Sequence, residues 1–419
     1  MIRCILITFT FVILHVSTYA QRVNQGEIKA IRSRIVELIR EDYVDEKVAH
    51  NIIDSLQATS YSPGSIVDFA GTLNRDLRRF SHDKHFEIMY SKEDDFSKAI
   101  TSRSKEINFG FTKLEILSGN IGYLRLSAFE DPSIAGKVAT GSMDFLSNAN
   151  AIIIDLRDNS GGRKAMVQLL LSYFFQESSK HLYTIQGRRE EFYGYTEVEL
   201  PGPKMPDVPL YVLVNSSTFS AAEMFAFILK KQGRATLVGT TTAGGGHTVA
   251  NYEIGSHLSM NLPVGKVVEA VSKKGWDRIG VTPDIEAKDG VCLERAYLTA
   301  LEREAEGITD PAQLFKLQWQ MDILQSILDP VTIDQRTLES YAGIYGRRIV
   351  TYDKGGLFYQ GRAGIEKAAM IPVDSTTFRF REVDFFRVRF IVDGNGNVIR
   401  IEGLYRDGYV DASDRGNEK

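Results

Sequence analysis

Apolar positions follow three different rhythms along this chain. From Asn24 to Phe80 they recur every three or four residues. Ile28, Ile31, Ile35, Leu38 and Ile39 form one helical stripe, a second helical stretch runs from Asp45 to Leu56, and Ser62-Pro63-Gly64 punctuates before a third from Ser65 to Leu77. Helix gives way to alternation across Arg79-Phe80-Ser81-His82-Asp83-Lys84-His85-Phe86-Glu87-Ile88-Met89-Tyr90, and residues 91 to 106 are charged and polar, as in a linker or loop. The second rhythm is a series of short, largely apolar runs separated by amphipathic stretches: Ile121 to Leu126, Ala151 to Leu156, Pro209 to Val214 and Ala235 to Gly239, with helices predicted over Ser133 to Leu146, Ala165 to Phe175, Ala221 to Leu229 and Val291 to Glu304. Short apolar strands alternating with helices predict an α/β core with a buried parallel sheet. Arg188 to Pro206 reads as a polar excursion, and Leu258 to Leu262 and Lys266 to Val271 as two further strands. After a helical connector at residues 307 to 331, the third rhythm sets in. Short alternating segments begin at Leu338 and are divided by turns such as Asp353-Lys354-Gly355 and Asp393-Gly394-Asn395-Gly396, which predicts an antiparallel sheet or small barrel.

Two junctions in the core carry candidate chemistry. The strand ending at Leu156 runs into Arg157-Asp158-Asn159-Ser160-Gly161-Gly162, where a glycine pair lets the backbone approach a ligand closely. It lacks the Lys-Ser/Thr ending of a phosphate loop. The strand ending at Val214 runs through Asn215-Ser216-Ser217-Thr218-Phe219 to Ser220 at the start of a helix. Unpaired N–H groups and the positive end of the helix dipole could stabilise an oxyanion there, so Ser220 reads either as a nucleophile or as a helix cap. A loop too rich in glycine to pack by side chains, Thr240-Thr241-Thr242-Ala243-Gly244-Gly245-Gly246-His247, has the composition of a site-lining segment.

Composition narrows the class. The 419 residues are 43% hydrophobic and 25% charged with a net charge of −4, which fits a soluble protein of two or three domains and offers no basic surface for nucleic acid or for anionic lipid. Met1 to Ala20 has the form of a secretory signal: Arg3, then an apolar run from Cys4 to Val16, then Ser17-Thr18-Tyr19-Ala20 before Gln21. The mature chain is expected to start at Gln21, outside the cytoplasm and without a stable membrane anchor. Removal of Cys4 leaves Cys292 alone, so no intramolecular disulfide is expected. The seven histidines are scattered with no HExxH or CxxC pattern, so neither a metal nor another cofactor is expected.

LRDNSGG, VNSSTFSAAEMFA, GRATLVGTTTAGGGH and GVTPDI resemble, in order and spacing, the motifs of the S41 serine peptidases. These include the C-terminal processing peptidases, the tricorn core and the interphotoreceptor retinoid-binding protein modules. The resemblance implies a ClpP/crotonase-like α/β core with an N-terminal helical domain, to which this chain adds a C-terminal all-β accessory domain. The boundaries expected are a signal at 1–20, the helical domain at 21–95, the core at 96–306, the connector at 307–331 and the β region at 332–419. One branch of the family uses a Ser/Lys dyad and carries a PDZ domain. Here the position 25 after Ser220 is Gly245, no lysine occurs between Lys231 and Lys266, and His85 lies only about 35 residues before the first core strand. The chain is therefore more similar to the PDZ-less Ser/His branch, in which the histidine of a D-x-H motif is the general base and maps onto His85.

The resemblance further implies an acidic residue three positions before the glycine of GVTPD. This chain has Asp277 where Glu is usual, one methylene shorter, and Lys84 where the tricorn core has a serine before its histidine. The mechanism expected is acyl transfer from a peptide or protein substrate to water: Ser220 attacks, His85 moves the proton, Asp277 orients His85, and N–H groups of Ala221 and of Gly161 or Gly162 hold the oxyanion. His247 is the rival base, or with Gly245 and Gly246 a substrate-binding residue. A non-catalytic ligand- or peptide-binding member of the same fold is the alternative. An α/β-hydrolase esterase fits less well, because Ser220 lies in T-F-S-A-A and not in G-x-S-x-G. Oligomeric state and substrate identity are not written in these motifs.

Overall fold

The computed structural model describes residues 22–90, 104–361 and 367–416. The signal reading for Met1 to Ala20 and the linker reading for 91–103 lie outside them, while residues 104–106 are helical. The chain divides into two compact units.

The first unit is built on three helices, Gln25–Asp42, Glu46–Ala58 and Ile66–Ser81. Each starts where a side chain can satisfy the free N–H groups of the first turn: Asn24, Asp45 and Ser65 cap them, and Asn24 with Glu27 completes a reciprocal capping box. The stripe Ile28, Ile31, Ile35, Leu38 and Ile39 is buried, as its spacing predicts. Much of what it packs with is distant in sequence. Ile254, Leu258, Met260 and Leu262 belong to the same core, and the strand Glu87–Tyr90 pairs antiparallel with residues 258–261. The hairpin 248–265, which the sequence pattern groups with the core domain, thus folds with the N-terminal helices. The predicted break between its second strand and the next is absent: Leu258–Glu269 is one strand running through Pro263.

The second unit holds a six-stranded sheet. Its order is 285–286, 236–239, 210–214, 151–155, 121–126, 111–117, with the first five strands parallel and the last antiparallel. Every residue of Ala151–Asp155 and Leu210–Val214 is buried, because helices cover both faces. Alternation sorts them. Ile152, Ile154, Val212 and Val214 face a core shared with the helices Pro132–Leu146, Lys164–Ser172 and Ala221–Lys231. Ile153, Tyr211 and Leu213 face Cys292–Ala305 and Pro311–Leu328. The polar excursion contains structure that its composition hides, since Glu191–Tyr195 pairs antiparallel with the preceding strand from His181.

Toward the C-terminus, Gln335–Tyr341 is a short helix, contrary to the strand reading from Leu338, and its buried face is Leu338 and Tyr341. Two antiparallel sheets follow. One has the order 343–345, 348–353, 356–360, 368–369, and the other 371–372, 377–379, 386–392, 398–405, 410–414. Their shared core is rich in aromatic residues, with Tyr341 stacked on Phe390 at 4.2 Å. The connector helix is anchored to this region through Trp319: its Nε1 donates to the Asp384 carbonyl at 2.7 Å, and the Arg387 guanidinium lies 3.8 Å over its ring.

Candidate active site

Strand Leu210–Val214 delivers the chain to a turn with a fixed shape. Asn215 is buried, and its Oδ1 accepts N–H groups of Asp158, Ser217 and Thr218 at 3.0 to 3.2 Å. The Thr218 hydroxyl donates to the Leu156 carbonyl at 2.9 Å, and Phe219 N–H to the Asn159 carbonyl at 2.9 Å. These bonds fasten the turn to the loop that carries the glycine pair. The next residue is Ser220, with φ 55° and ψ −118°. A non-glycine residue held there costs on the order of 1–3 kcal/mol and persists only where its surroundings over-determine it. The helix Ala221–Lys231 follows immediately, buried along its first nine residues, so the serine stands at a rigid helix N-terminus.

Gly161 explains why the pair is glycine. Its φ is +102°, and a Cβ on it would stand 2.8 Å from Ser220 Cβ and 2.9 Å from Ala221 N. Backbone therefore meets backbone beside the serine, with no room for a side chain. Of the donors considered for an oxyanion, the Gly161 N–H is engaged: it donates to Asn159 Oδ1 at 2.8 Å. Gly162 and Ala221 are the donors that remain.

A buried carboxylate holds this corner together. Glu223 is 0% exposed. Its Oε2 accepts Ser220 N–H at 2.9 Å and Gly245 N–H at 2.7 Å; its Oε1 accepts Gly244 N–H at 2.6 Å and the Thr242 hydroxyl at 2.5 Å. One side chain thus ties the serine turn to the glycine loop. Sequence reasoning passed over Glu223, although Ser220-Ala221-Ala222-Glu223 has the S-x-x-E spacing of a capping box.

The loop's far end brings in three more candidates. Gly246 N–H donates to Asp277 Oδ1 at 3.1 Å, Trp276 Nε1 donates to the Gly245 carbonyl at 2.9 Å, and His247 Nε2 lies 3.7 Å from Asp277 Oδ2. That last distance allows charge attraction and is too long for a hydrogen bond. Arg278 Nε is 3.6 Å from the same oxygen. Within the unit that carries Ser220, the histidine facing Asp277 is therefore His247.

His85 belongs to the first unit and is held there by its own motif. The helix before it ends at His82 in the left-handed conformation. Asp83 Oδ1 then accepts the His85 N–H at 2.9 Å and lies 3.2 Å from its Nδ1. Both residues are buried. A carboxylate on Nδ1 favours the tautomer that keeps a proton there and leaves Nε2 as the basic nitrogen. Asp83 is a second functional candidate missed in the sequence, where its position two before the histidine was visible. Among the described residues, no group of three or more acidic, histidine or cysteine side chains has the geometry of a metal site.

Residues 120–287 match peptidase family S41, and they contain the glycine pair, Ser220, Glu223, the glycine loop and Asp277. The carboxyl-terminal-processing protease of a Picosynechococcus strain is 30% identical over 187 residues, covering 44% of each chain. Carboxy-terminal processing protease CtpA of Bacillus subtilis is 29% identical over 203 residues, 46% of this chain and 41% of that one. The chain thus spans less than half the length of these two relatives. A solved structure from Parabacteroides merdae, described as a candidate peptidase, superposes with a TM-score of 0.50 at 18% identity, covering 67% of this chain and 99% of that one, and so shares the fold. The S41 region ends before the connector helix and the C-terminal sheets.

Proposed function

We propose that the protein is a secreted serine endopeptidase that hydrolyses peptide bonds in a peptide or protein substrate. The observation that carries this reading is Ser220, held at positive φ on a buried helix N-terminus, with Gly161 backbone against it and Glu223 fixing its N–H. In this reading Ser220 Oγ attacks the scissile carbonyl. His85 takes the hydroxyl proton and returns it to the leaving amine, as its D-x-H motif implies, and Asp83 keeps its tautomer. Ala221 and Gly162 N–H groups receive the oxyanion, where each donor is worth about 2.7–4 kcal/mol of the barrier. Water then releases the acyl group by the same proton path in reverse. Asp277 is the second carboxylate of the scheme, and its neighbour His247 is the alternative base.

A leader at residues 1–20 would place the reaction outside the cytoplasm. No described helix is long and apolar enough to cross a membrane. The test is hydrolysis of an unfolded protein substrate such as reduced, alkylated casein by the mature chain, with the fragments identified by mass. Wild-type protein should cut and Ser220→Ala should not. A folded wild-type protein that binds such substrates without cutting them would favour the non-catalytic reading.

A further inference from the structure

The hairpin of His181–Gly187 and Glu191–Tyr195 ends its sheet on an aromatic strand. Glu191–Tyr195 pairs on one side with the strand before it, and among the described residues its backbone makes no other backbone hydrogen bond. The N–H and C=O groups on its outer side are therefore open to another chain. Natural edges are commonly blunted by lysine or proline. Here the strand reads Glu-Phe-Tyr-Gly-Tyr, with Phe192, Tyr193 and Tyr195 50%, 53% and 42% exposed. The rings are nonetheless held. Lys164 Nζ lies 5.2 Å from the Phe192 centroid, Tyr193 Oη donates to Glu191 Oε2 at 2.7 Å, and the His181 ring packs against Tyr193 and Tyr195 at 5.5 and 5.1 Å. An ordered aromatic surface on an open strand edge suits the addition of an extended chain.

Packing against a helix fixes where this edge runs. A Cβ on Gly194 would stand 2.1 Å from the Tyr183 ring, so that ring fills the space a side chain would take. Tyr183 Oη donates to Gln168 Oε1 at 3.3 Å on the helix Lys164–Ser172, and Gln168 Nε2 donates to Glu197, just past the strand, at 2.8 Å. Gln168 and Lys164 are four apart on one helix face, and Gly194 and Phe192 are two apart on one strand face. The strand thus follows the helix back to its first turn, where Phe192 meets Lys164, three residues past Gly161. Gly161 in turn abuts Ser220. Chain and side-chain lengths then put the Phe192 ring no more than about seven residues of extended peptide from Gly161.

We propose that Glu191–Tyr195 takes up an extended, apolar segment of the substrate as an added strand, and that Phe192 is a specificity-determining residue that seats an aromatic or branched aliphatic side chain. This rests on Ser220 being the reaction centre. The backbone half of such recognition is blind to sequence, and the rings supply the preference. Continuity with the serine turn favours substrate over a second copy of this chain, whose pairing edge to edge would need no such neighbour.

Reduced, alkylated casein added to the Ser220→Ala chain, which lacks the nucleophile, tests this. By hydrogen exchange read by mass, amides of residues 191–195 are expected to gain protection when casein binds. Phe192→Asp in the same background should weaken binding of fluorescein-labelled casein, read by anisotropy, at least ~10-fold. Tyr409→Asp, at a ring 61% exposed between two C-terminal strands, should leave that binding unchanged. In the chain that keeps Ser220, Phe192→Asp should raise KM for casein with kcat within about twofold, the pattern of lost uniform binding. Its cut sites should also lose a preference for aromatic or branched aliphatic residues at a fixed distance from the scissile bond. The proposal is overturned if residues 191–195 gain no protection, if Phe192→Asp binds casein as before, or if sedimentation shows a wild-type dimer that Phe192→Asp dissociates. Failure of the wild type to cut casein, with the protection and the loss of binding intact, would instead refute the peptidase reading and leave this edge a peptide-binding site.

Discussion

Replacing Glu223 by Gln keeps the shape of the side chain and changes its donor and acceptor pattern, which makes it the sharpest probe of the corner around Ser220. Each carboxylate oxygen accepts two hydrogen bonds. A glutamine has one oxygen and one NH₂ group, so whichever way the amide turns, two of the four donors face another donor. With the amide nitrogen at the Oε1 position, Gly244 N–H loses its acceptor, and the Thr242 hydroxyl must turn away from the contact it makes now. Losing a hydrogen bond to a charged group costs about 1.5–3 kcal/mol, and stranding a buried donor about 1–3 kcal/mol. Allowing for partial relaxation, Glu223→Gln should lower stability by about 2–5 kcal/mol. Equilibrium urea unfolding measures it, with an unchanged slope showing that the change lies in the native state. The same variant, kept folded at low temperature, should also react more slowly at Ser220 with a serine-directed phosphonate, because the serine turn has lost its tie to the glycine loop. A stability change within ~0.5 kcal/mol, the range of ordinary surface substitutions, would refute the claim that this carboxylate holds the corner.

Three further outcomes follow from named contacts. Gly161→Ala should suppress phosphonate labelling of Ser220 by more than ~10-fold, since the new methyl would stand 2.8 Å from Ser220 Cβ in a backbone conformation unfavourable to alanine; wild-type labelling would remove the close-approach argument. Casein cleavage should fall by at least ~10²-fold in His85→Ala and far less in His247→Ala, as measured by initial rates; the reverse order would move the base to the histidine beside Asp277. Burial pushes the Cys292 thiol up to about 12, whereas an unfolded thiol ionises near ~8.5. The folded state then keeps a proton that the unfolded state sheds, so this thiol's contribution is complete below pH ~8.5 and is lost as pH rises toward 12. Unfolding free energies of wild type and Cys292→Ala should accordingly diverge by up to ~1.4 kcal/mol per pH unit above pH ~8.5, the wild type losing more, and parallel curves would contradict it.

Much of the fold was written in the spacing of apolar residues. Runs such as Ala151 to Leu156 and Pro209 to Val214 could only be central strands, and the stripe Ile28, Ile31, Ile35 had to face a core. What spacing could not say was which core. Ile254, Leu258 and Met260 pack with the first helices because a hairpin can bury its apolar face against any partner within reach, and sequence distance does not limit that reach. Pro263 looked like a break. It sits inside a strand because it needs no N–H there, and its carbonyl accepts from Val44. The hairpin 181–195 was hidden by its exposed aromatic residues, Phe192, Tyr193 and Tyr195, which leave no alternation to read.

The candidate site was legible to a different degree at each residue. Ser220 and the glycine pair announced themselves as junctions between strand and helix. Glu223 and Asp83 did not, because their contribution is to satisfy backbone N–H groups whose positions exist only once the turns are folded. Asp277 was placed by resemblance alone, and the structure gives it a partner in His247 that the motif did not suggest.

The central claim is that Ser220 is a nucleophile and not merely a helix cap. Incubating the mature protein with a fluorophosphonate, digesting it and locating the adduct by mass tests this most directly. The account predicts one adduct, on Ser220, which disappears in Ser220→Ala and forms more slowly in His85→Ala. A folded protein that takes up no phosphonate at Ser220, or takes it up at another serine, would contradict it.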